Sequence, residues 1–519
     1  MRLSRRGFLT GTMAVAASSA LAACAPQSQA TPNVRSLTDA VRRVEADRFA
    51  SGKTSSFGIR QSVSPIDLGE RTIQAMTFNG SLPGSEIRVN VGDLVKVNQS
   101  NSLPAATSIH FHGLALRNDA DGVPLVTQEP VEAGSSFTQS FKAPHPGTYW
   151  YHSHSGLQLE SGLYGAFIIE DPNEAGAYDH EWVLMLDDWT LGIGASPEQT
   201  LAELTAGGSA EHSMHGGSSS SDSGMGSGMG SGMGMGHTLS DDVLGLGFGT
   251  GDVTYPTHLI NGKAPGAPEV KTAQAGSRIR LRVINASSDT MFAFGVGGHK
   301  LTVTHTDGFA VRHEIGDSVI LGMGERIDAL ITVKDGVWPV YAQSLSSRTG
   351  MGFALLRGGS QGYSPTRDAA PTINEILNGR VIQPSQLQCA DGLDLKSNPS
   401  ARLEAMLMGQ MNPYSWNING LKDMTGTLFE LREGETVDLT FMNHSMMSHP
   451  MHLHGHTFQV VEQNGRTISQ GARKDTVMVR PMSSTTVRIQ ADNPGDWVVH
   501  CHNSYHMETG MMGVIRYKL

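Results

Sequence analysis

Apolar and polar residues alternate in short runs along most of the chain. Ile279-Arg280-Leu281-Arg282-Val283 and Val437-Asp438-Leu439-Thr440-Phe441 are two of them, and a period of two marks a strand with one face buried and the other wet. Asn-Gly and Gly-Asp pairs fall between the runs, where tight turns favour residues that tolerate positive φ. The pattern predicts an all-β chain.

The runs come in three copies. Phe78-Asn79-Gly80, Val91-Gly92-Asp93 and Asn101 mark the first; Ile260-Asn261-Gly262, Ala275-Gly276-Ser277 and Asn285 the second; Ile418-Asn419-Gly420, Glu433-Gly434-Glu435 and Asn443 the third. In each copy the second glycine precedes the last Asn by nine positions. A length of 519 residues allows three or four domains at about 150 residues each. Three β-domains are therefore expected, over 56–175, 176–360 and 401–519, with a linker and short helix at 25–55 and a connection at 361–400.

Chemistry rides on the repeat. Nine residues past the last Asn stand His110-Phe111-His112-Gly113 in the first copy and His452-Leu453-His454-Gly455 in the third, against Phe294-Gly295-Val296-Gly297 in the second. Five residues past a later turn glycine come His152-Ser153-His154, Tyr341-Ala342-Gln343 and His500-Cys501-His502. Two histidines one residue apart on a strand point to the same face. One such pair alone is most simply a satisfied pair of histidines; four at matched positions of two domains predict one cluster between them.

The C-terminal stretch is the most specific. His449, Cys501, His506 and Met511 supply two imidazoles, a thiolate and a weak thioether, the ligand set of a blue-copper electron-transfer site, whereas zinc favours four strong ligands. Cys501, held between two histidines, then has one metal on its sulfur and others on its neighbours, making His500-Cys501-His502 a covalent electron path.

With these residues the chain resembles the multicopper oxidases from about Gly80 to Leu519, and the bacterial copper-resistance and laccase types in particular, through Thr107–Gly122, Pro146–Gly156, Gly455–Val460 and Ala472–Val477. The resemblance implies three cupredoxin-like Greek-key β-sandwich domains and four copper ions: one blue type 1, one type 2 and a coupled type 3 pair. It places His110 and His452 on the type 2 ion, His112, His152 and His502 on one type 3 ion, and His154, His454 and His500 on the other. The activity implied is one-electron oxidation of Cu(I), phenolic compounds, Fe(II) or Mn(II), with O2 reduced to water. Asp121 occupies the family's position for a carboxylate that relays protons. The further acid that relatives carry just after the blue-copper histidine is Met507 here, and Glu508 follows it. Phe111 replaces the usual Trp. Met446 and Met447 match the neighbourhood of the substrate-copper site of cuprous oxidases, with Ser445 where an acid is common.

Several features surround this core. Ser4-Arg5-Arg6-Gly7-Phe8-Leu9 and the Ala-rich stretch to Ala23 fit a twin-arginine leader, and Leu21-Ala22-Ala23-Cys24 fits a lipoprotein cleavage box. Export to the cell envelope, with a lipid on Cys24, is the expectation, and the mature chain is expected to be a monomer. Gly207 to His237 is Gly/Ser-rich with five methionines and three histidines, a composition suited to gathering soft Cu(I). The net charge of −11 and the lack of a long basic run leave nucleic acid without a footprint. His145, His305, His444 and His456 lie off the ligand spacing and are expected to hydrogen-bond locally. Glu325, Arg326 and Asp328 resemble a structural element of the family's middle domain, and Cys389 reads as a small buried hydrophobe. Two other readings are weaker: a copper nitrite reductase lacks the four histidine pairs, and a copper-sequestering lipoprotein needs no cysteine flanked by cluster histidines.

Overall fold

The computed structural model describes residues 36–518 apart from 173, 175–177, 208–250, 347–349, 360–364, 391, 396–397 and 422. The leader with Cys24, and the methionine-rich insert beyond Gly207, lie outside the described residues.

Each repeat unit forms two β-sheets. Thr54–Asp67, Thr72–Phe78, Leu94–Asn101 and Ser136–Lys142 make one sheet of the first pair; Gly84–Asn90, Tyr164–Glu170, Gly147–His152 and His110–His112 make the other. Two six-stranded sheets form the middle pair, and a seven-stranded and a five-stranded sheet form the third. The fold is all-β, of three cupredoxin-like sandwiches. The 361–400 stretch is more than a connection, because Val381–Ile382 adds a parallel strand beside Ser318–Leu321 of a middle sheet.

The repeated residues do repeated work. Asn79-Gly80, Asn261-Gly262 and Asn419-Gly420 all take positive φ, between 51° and 80°, as a two-residue hairpin turn requires. Each turn Asn also stitches its hairpin to another strand: Asn79 accepts from the Arg60 N–H, Asn261 from Met185 and Asn419 from Met406, at 2.7–2.8 Å. The last Asn of each repeat closes the loop leading into the next strand. Asn101 Nδ2 donates to the Val131 carbonyl, Asn285 to Leu321 and Asn443 to Met447, at 2.7–3.0 Å. Buried polar loops need such partners, and these fix where the histidine strands begin.

The first and third domains share one continuous apolar core, running from Ile109 and Leu116 to Trp497 and Met511, while the middle domain has its own around Phe294 and Ile327. An N-terminal helix, Leu37–Asp47, bridges the first and third domains. Lys142 Nζ caps its C-terminal carbonyls at 2.8–3.0 Å, and Arg43 pairs with Glu433 of the third domain at 2.6 Å.

Candidate metal centres

Strand register assembles the histidines. His110 pairs with His152 and His112 with Trp150 in the first domain; His452 pairs with His500 and Met451 with Cys501 in the third. Both sets are buried, and they meet face to face: the rings of His110 and His454 stack at 3.9 Å and those of His112 and His452 at 3.7 Å.

Hydrogen bonding then decides which nitrogen of each ring is spare. Nδ1 of His110, His152, His452 and His500 lies 2.8–2.9 Å from a backbone carbonyl, which fixes Nδ1 as the donor. His112 is reversed, with Nε2 on Asp475 at 3.1 Å and Nδ1 free. Nε2 of His110, His152, His154 and His452, and both nitrogens of His502, have no partner among the described residues. His454 donates from Nδ1 to Asp121, so its Nε2 and that of His500 face each other, 3.0 Å apart, as two acceptors. Buried lone pairs without donors are costly, and eight converging rings of this kind fit a group of cations. Ligand atoms within 4.8 Å of one another form the triples His110/His452/His454, His110/His112/His152 and His154/His454/His500. His502 joins through ring contacts of 4.9 Å with His112 and 5.4 Å with His152. Burial pushes the His112, His152, His154, His454, His500 and His502 imidazoles well below their usual range, leaving them neutral and able to donate lone pairs.

The second centre lies on the far side of the Cys501 strand. His449 Nδ1 and His506 Nδ1 face each other at 3.1 Å, and Cys501 Sγ lies 3.7 and 3.5 Å from them. Ser445 Oγ holds His449 Nε2 at 2.7 Å, and Asp252 holds His506 Nε2 at 2.8 Å. Met511 is fully buried beside them, its carbonyl accepting from the Cys501 N–H and its N–H donating to His506. Burial, with the Asp252 and Asp289 charges, raises the Cys501 thiol above its ordinary range, so a thiolate here needs a cation beside it. Two soft-to-borderline nitrogens, one sulfur and a methionine suit copper.

Two carboxylates tie the domains together around the histidine cluster. Asp121 accepts from His454 across the domain seam at 2.9 Å, while its own carbonyl holds His110. Gly122 keeps it in place: at φ +86°, any Cβ would fall 1.8 Å from the Ile109 carbonyl oxygen. Asp475 takes His112 on Oδ1 and a bidentate Arg326 of the middle domain, both contacts 2.7 Å. That guanidinium holds the Asp475 carboxyl well below the usual carboxylate range against the opposing effect of burial. Lys474 meets Asp307 at 2.9 Å and Glu325 at 3.2 Å, extending the buried charge network.

Sequence profiles of the multicopper oxidases match residues 61–174, 237–360 and 397–518. The chain belongs to the multicopper oxidase family. It is 40% identical to multicopper oxidase MmcO of Mycobacterium tuberculosis, over 100% of this chain and 97% of that protein. It is also 29% identical to a copper resistance protein A homolog of Pseudomonas syringae pv. tomato, over 99% of each. Solved structures with the same fold include Fet3p, a multicopper oxidase that functions in iron import (TM-score 0.73, 21% identity, 90% of this chain and 91% of that one). The laccase of Botrytis aclada is another (TM-score 0.72, 23% identity, 91% and 90%). As a multicopper oxidase, the protein uses copper to pass single electrons from a reductant to O2, which takes four and becomes water.

In this oxidase some residues sit where the sequence did not lead. Glu508, the acid that follows Met507, is exposed at the end of the Ser504–Glu508 helix and makes no hydrogen bond to the cluster among the described residues. Another acid occupies the interior. Glu160, six residues past His154, accepts from Tyr505 OH at 2.7 Å and Tyr255 OH at 3.3 Å, and its Oε2 is unpartnered among the described residues. Burial, then the Asp188 charge, push its carboxyl up to about 8. Met447 is buried and Met446 is 59% exposed. His145, His305 and His456 bond locally, to Tyr149, Thr304 and the His454 carbonyl, and His456 also reaches the distant Tyr517 OH. The His444 ring departs from that expectation: it is exposed and makes no hydrogen bond among the described residues. Cys389 is buried as expected, though its sulfur lies 3.6 Å from Asp394. Asp252, Asp475 and Glu160 were missed, because no motif spacing links them to the centres.

Proposed function

We propose that the physiological reductant is Cu(I), with phenolic compounds as a second class, and that the activity serves copper tolerance at the cell envelope. The placement of methionine at the blue-copper edge carries this reading. Exposed Met446 and buried Met447 flank the Ser445–His449 hydrogen bond. The described residues before and after the stretch that holds the insert lie near this edge: a Cβ on Gly207 would lie 3.4 Å from Asn412 Oδ1, and Asp252 holds Tyr414 OH at 2.5 Å as well as His506. The names of the copper-resistance relatives agree with it.

Four copper ions fit the residues. His449, Cys501, His506 and Met511 would hold the type 1 ion, and His110 with His452 the type 2 ion. His112, His152 and His502 would hold one type 3 ion, and His154, His454 and His500 the other. Asp121 is placed to hold and release a proton at His454 Nδ1, while Glu160, buried and protonated near neutral pH, is a better inner proton store than Glu508. The leader fits export by the twin-arginine route, with Cys24 lipidated, and a Cys24→Ala protein still found in the membrane fraction would refute the anchor.

Deleting Gly207 to His237 tests the reductant. Since none of the proposed ligands is removed, the blue absorption should persist while KM for Cu(I) rises and cells tolerate less copper. Phenol oxidation should hold or quicken. Identical kinetics with both reductants would reduce the insert to a linker, and a wild-type enzyme unable to oxidise Cu(I) would end the cuprous reading.

A further inference from the structure

Two aromatic side chains lead from the Cys501 centre towards the surface. They sit on Tyr414–Ile418, an edge strand of the seven-stranded sheet, where alternation turns Tyr414, Trp416 and Ile418 inwards. The Trp416 ring lies 4.0 Å from that of His506 and 5.3 Å from that of His449. Room for the indole comes from Gly409, its partner on the neighbouring strand, where a Cβ would fall 2.1 Å from Trp416 Cε3. Tyr414 follows outwards, its ring 5.8 Å from Trp416 and 6.3 Å from His506. Trp416 is 1% exposed and Tyr414 5%, so the outer ring just reaches solvent. Tyr414 OH donates to Asp252 Oδ2 at 2.5 Å, and Asp252 Oδ1 has no partner among the described residues. Filling space needs neither the hydroxyl nor the carboxylate, since an apolar ring packs a core without burying polar groups. An oxidisable pair with a proton acceptor at its outer end is a different device.

We propose that Trp416 and Tyr414 form a protective electron route, in which the protein gives up an electron of its own when dioxygen reduction starts with too few. The proposal rests on copper being held by His449, Cys501, His506 and Met511. O2 needs four electrons, and O2 that has taken fewer is a strong oxidant buried among side chains it can damage. With only three electrons delivered, Tyr414 supplies the fourth through Trp416, His506 and the Cys501 strand. Its O–H proton crosses the hydrogen bond to Asp252, leaving a neutral tyrosyl radical. Four electrons and four solvent protons then complete two waters. The next reductant molecule refills Tyr414 from the surface with one electron, and Asp252 returns the proton. Without such an outlet the oxidising equivalent would fall on Cys501 or Met511, whose sulfurs are readily oxidised.

The test is Tyr414→Phe in the fully copper-loaded full chain, which removes only the hydroxyl; an unchanged blue absorption reports an intact fold and centre. Each protein is reduced with three electron equivalents per chain, mixed with O2 and frozen. Electron paramagnetic resonance should then show an organic radical in wild type that narrows when tyrosine is ring-deuterated, and Tyr414→Phe should lose it. A residue that only packs would leave no such signal. Trp416→Phe, which interrupts the route without touching the phenol, should lose the radical too. With ascorbate held scarce in air, Tyr414→Phe should lose its blue absorption in fewer turnovers than wild type, and with ample ascorbate that gap should close. No tyrosyl signal in wild type, the same signal in Tyr414→Phe, or equal lifetimes under scarce ascorbate would overturn the route. If wild type is not blue, the copper assignment fails with it; a blue wild type without the radical loses the route alone.

Discussion

The middle domain and its two neighbours are built on one strand pattern and do opposite things with it. Where the outer domains present His110 and His452, the middle one presents Phe294; where they present His152 and His500, it presents Tyr341. Phe294 and Ala342 face each other in its core, across the strand pair that elsewhere carries imidazoles. The middle pairing is offset by one residue from the outer domains, where His110 meets His152 and His452 meets His500, so Phe294 meets Ala342 rather than Tyr341 and the pair goes to packing instead of a metal. The middle domain is not idle, because Arg326 reaches the cluster from outside by gripping Asp475.

The contrast breaks most completely at Cys501, which has no counterpart in the middle domain. Cys501→Ser should abolish blue absorption and all oxidase activity while the protein stays folded, since a hydroxyl cannot replace the soft thiolate; a blue, active variant would refute the centre. Arg326→Met attacks the middle domain's grip on Asp475. Removing a single partner of a buried ion pair costs about 3–5 kcal/mol, so melting should drop and copper per chain should fall, though no proposed ligand is touched. A fully loaded variant with unchanged melting would make the middle domain a bystander.

Asp121→Asn separates proton handling from ligand geometry. Turnover should drop by about a hundredfold or more with blue absorption retained, and equal turnover at every pH would remove Asp121 from the mechanism. Glu160→Gln gives the smallest effect. The folded carboxyl titrates at about 8 against an ordinary 4.5, so its neutral form is the one the fold favours. Its contribution is full below the ordinary value and is lost as pH rises towards about 8. Gln stays neutral, so the variant's melting advantage over wild type should grow across that window and then level off. A pH-independent difference would show that Glu160 does not titrate there.

The histidine pairs were legible because they obey local rules: a turn glycine, a fixed count, and alternation with period two. The all-β fold followed from the same signals. Asp475, Arg326 and Asp252 were not legible, since their partners stand 363, 149 and 254 residues away for His112–Asp475, Arg326–Asp475 and His506–Asp252. Glu508, beside the position where relatives carry an acid, sits exposed at the end of a short helix, and neighbourhood along the chain gave no pointer to the interior acid Glu160.

Because His454 leans on Asp121 and His112 on Asp475, neither outer domain possesses a finished cluster. A ribosome completes the first half long before the second exists, so early copper would meet only scattered imidazoles. Metal capture is therefore a late event in the protein's life, and a chain that holds its full complement has passed a checkpoint certifying that distant parts have met.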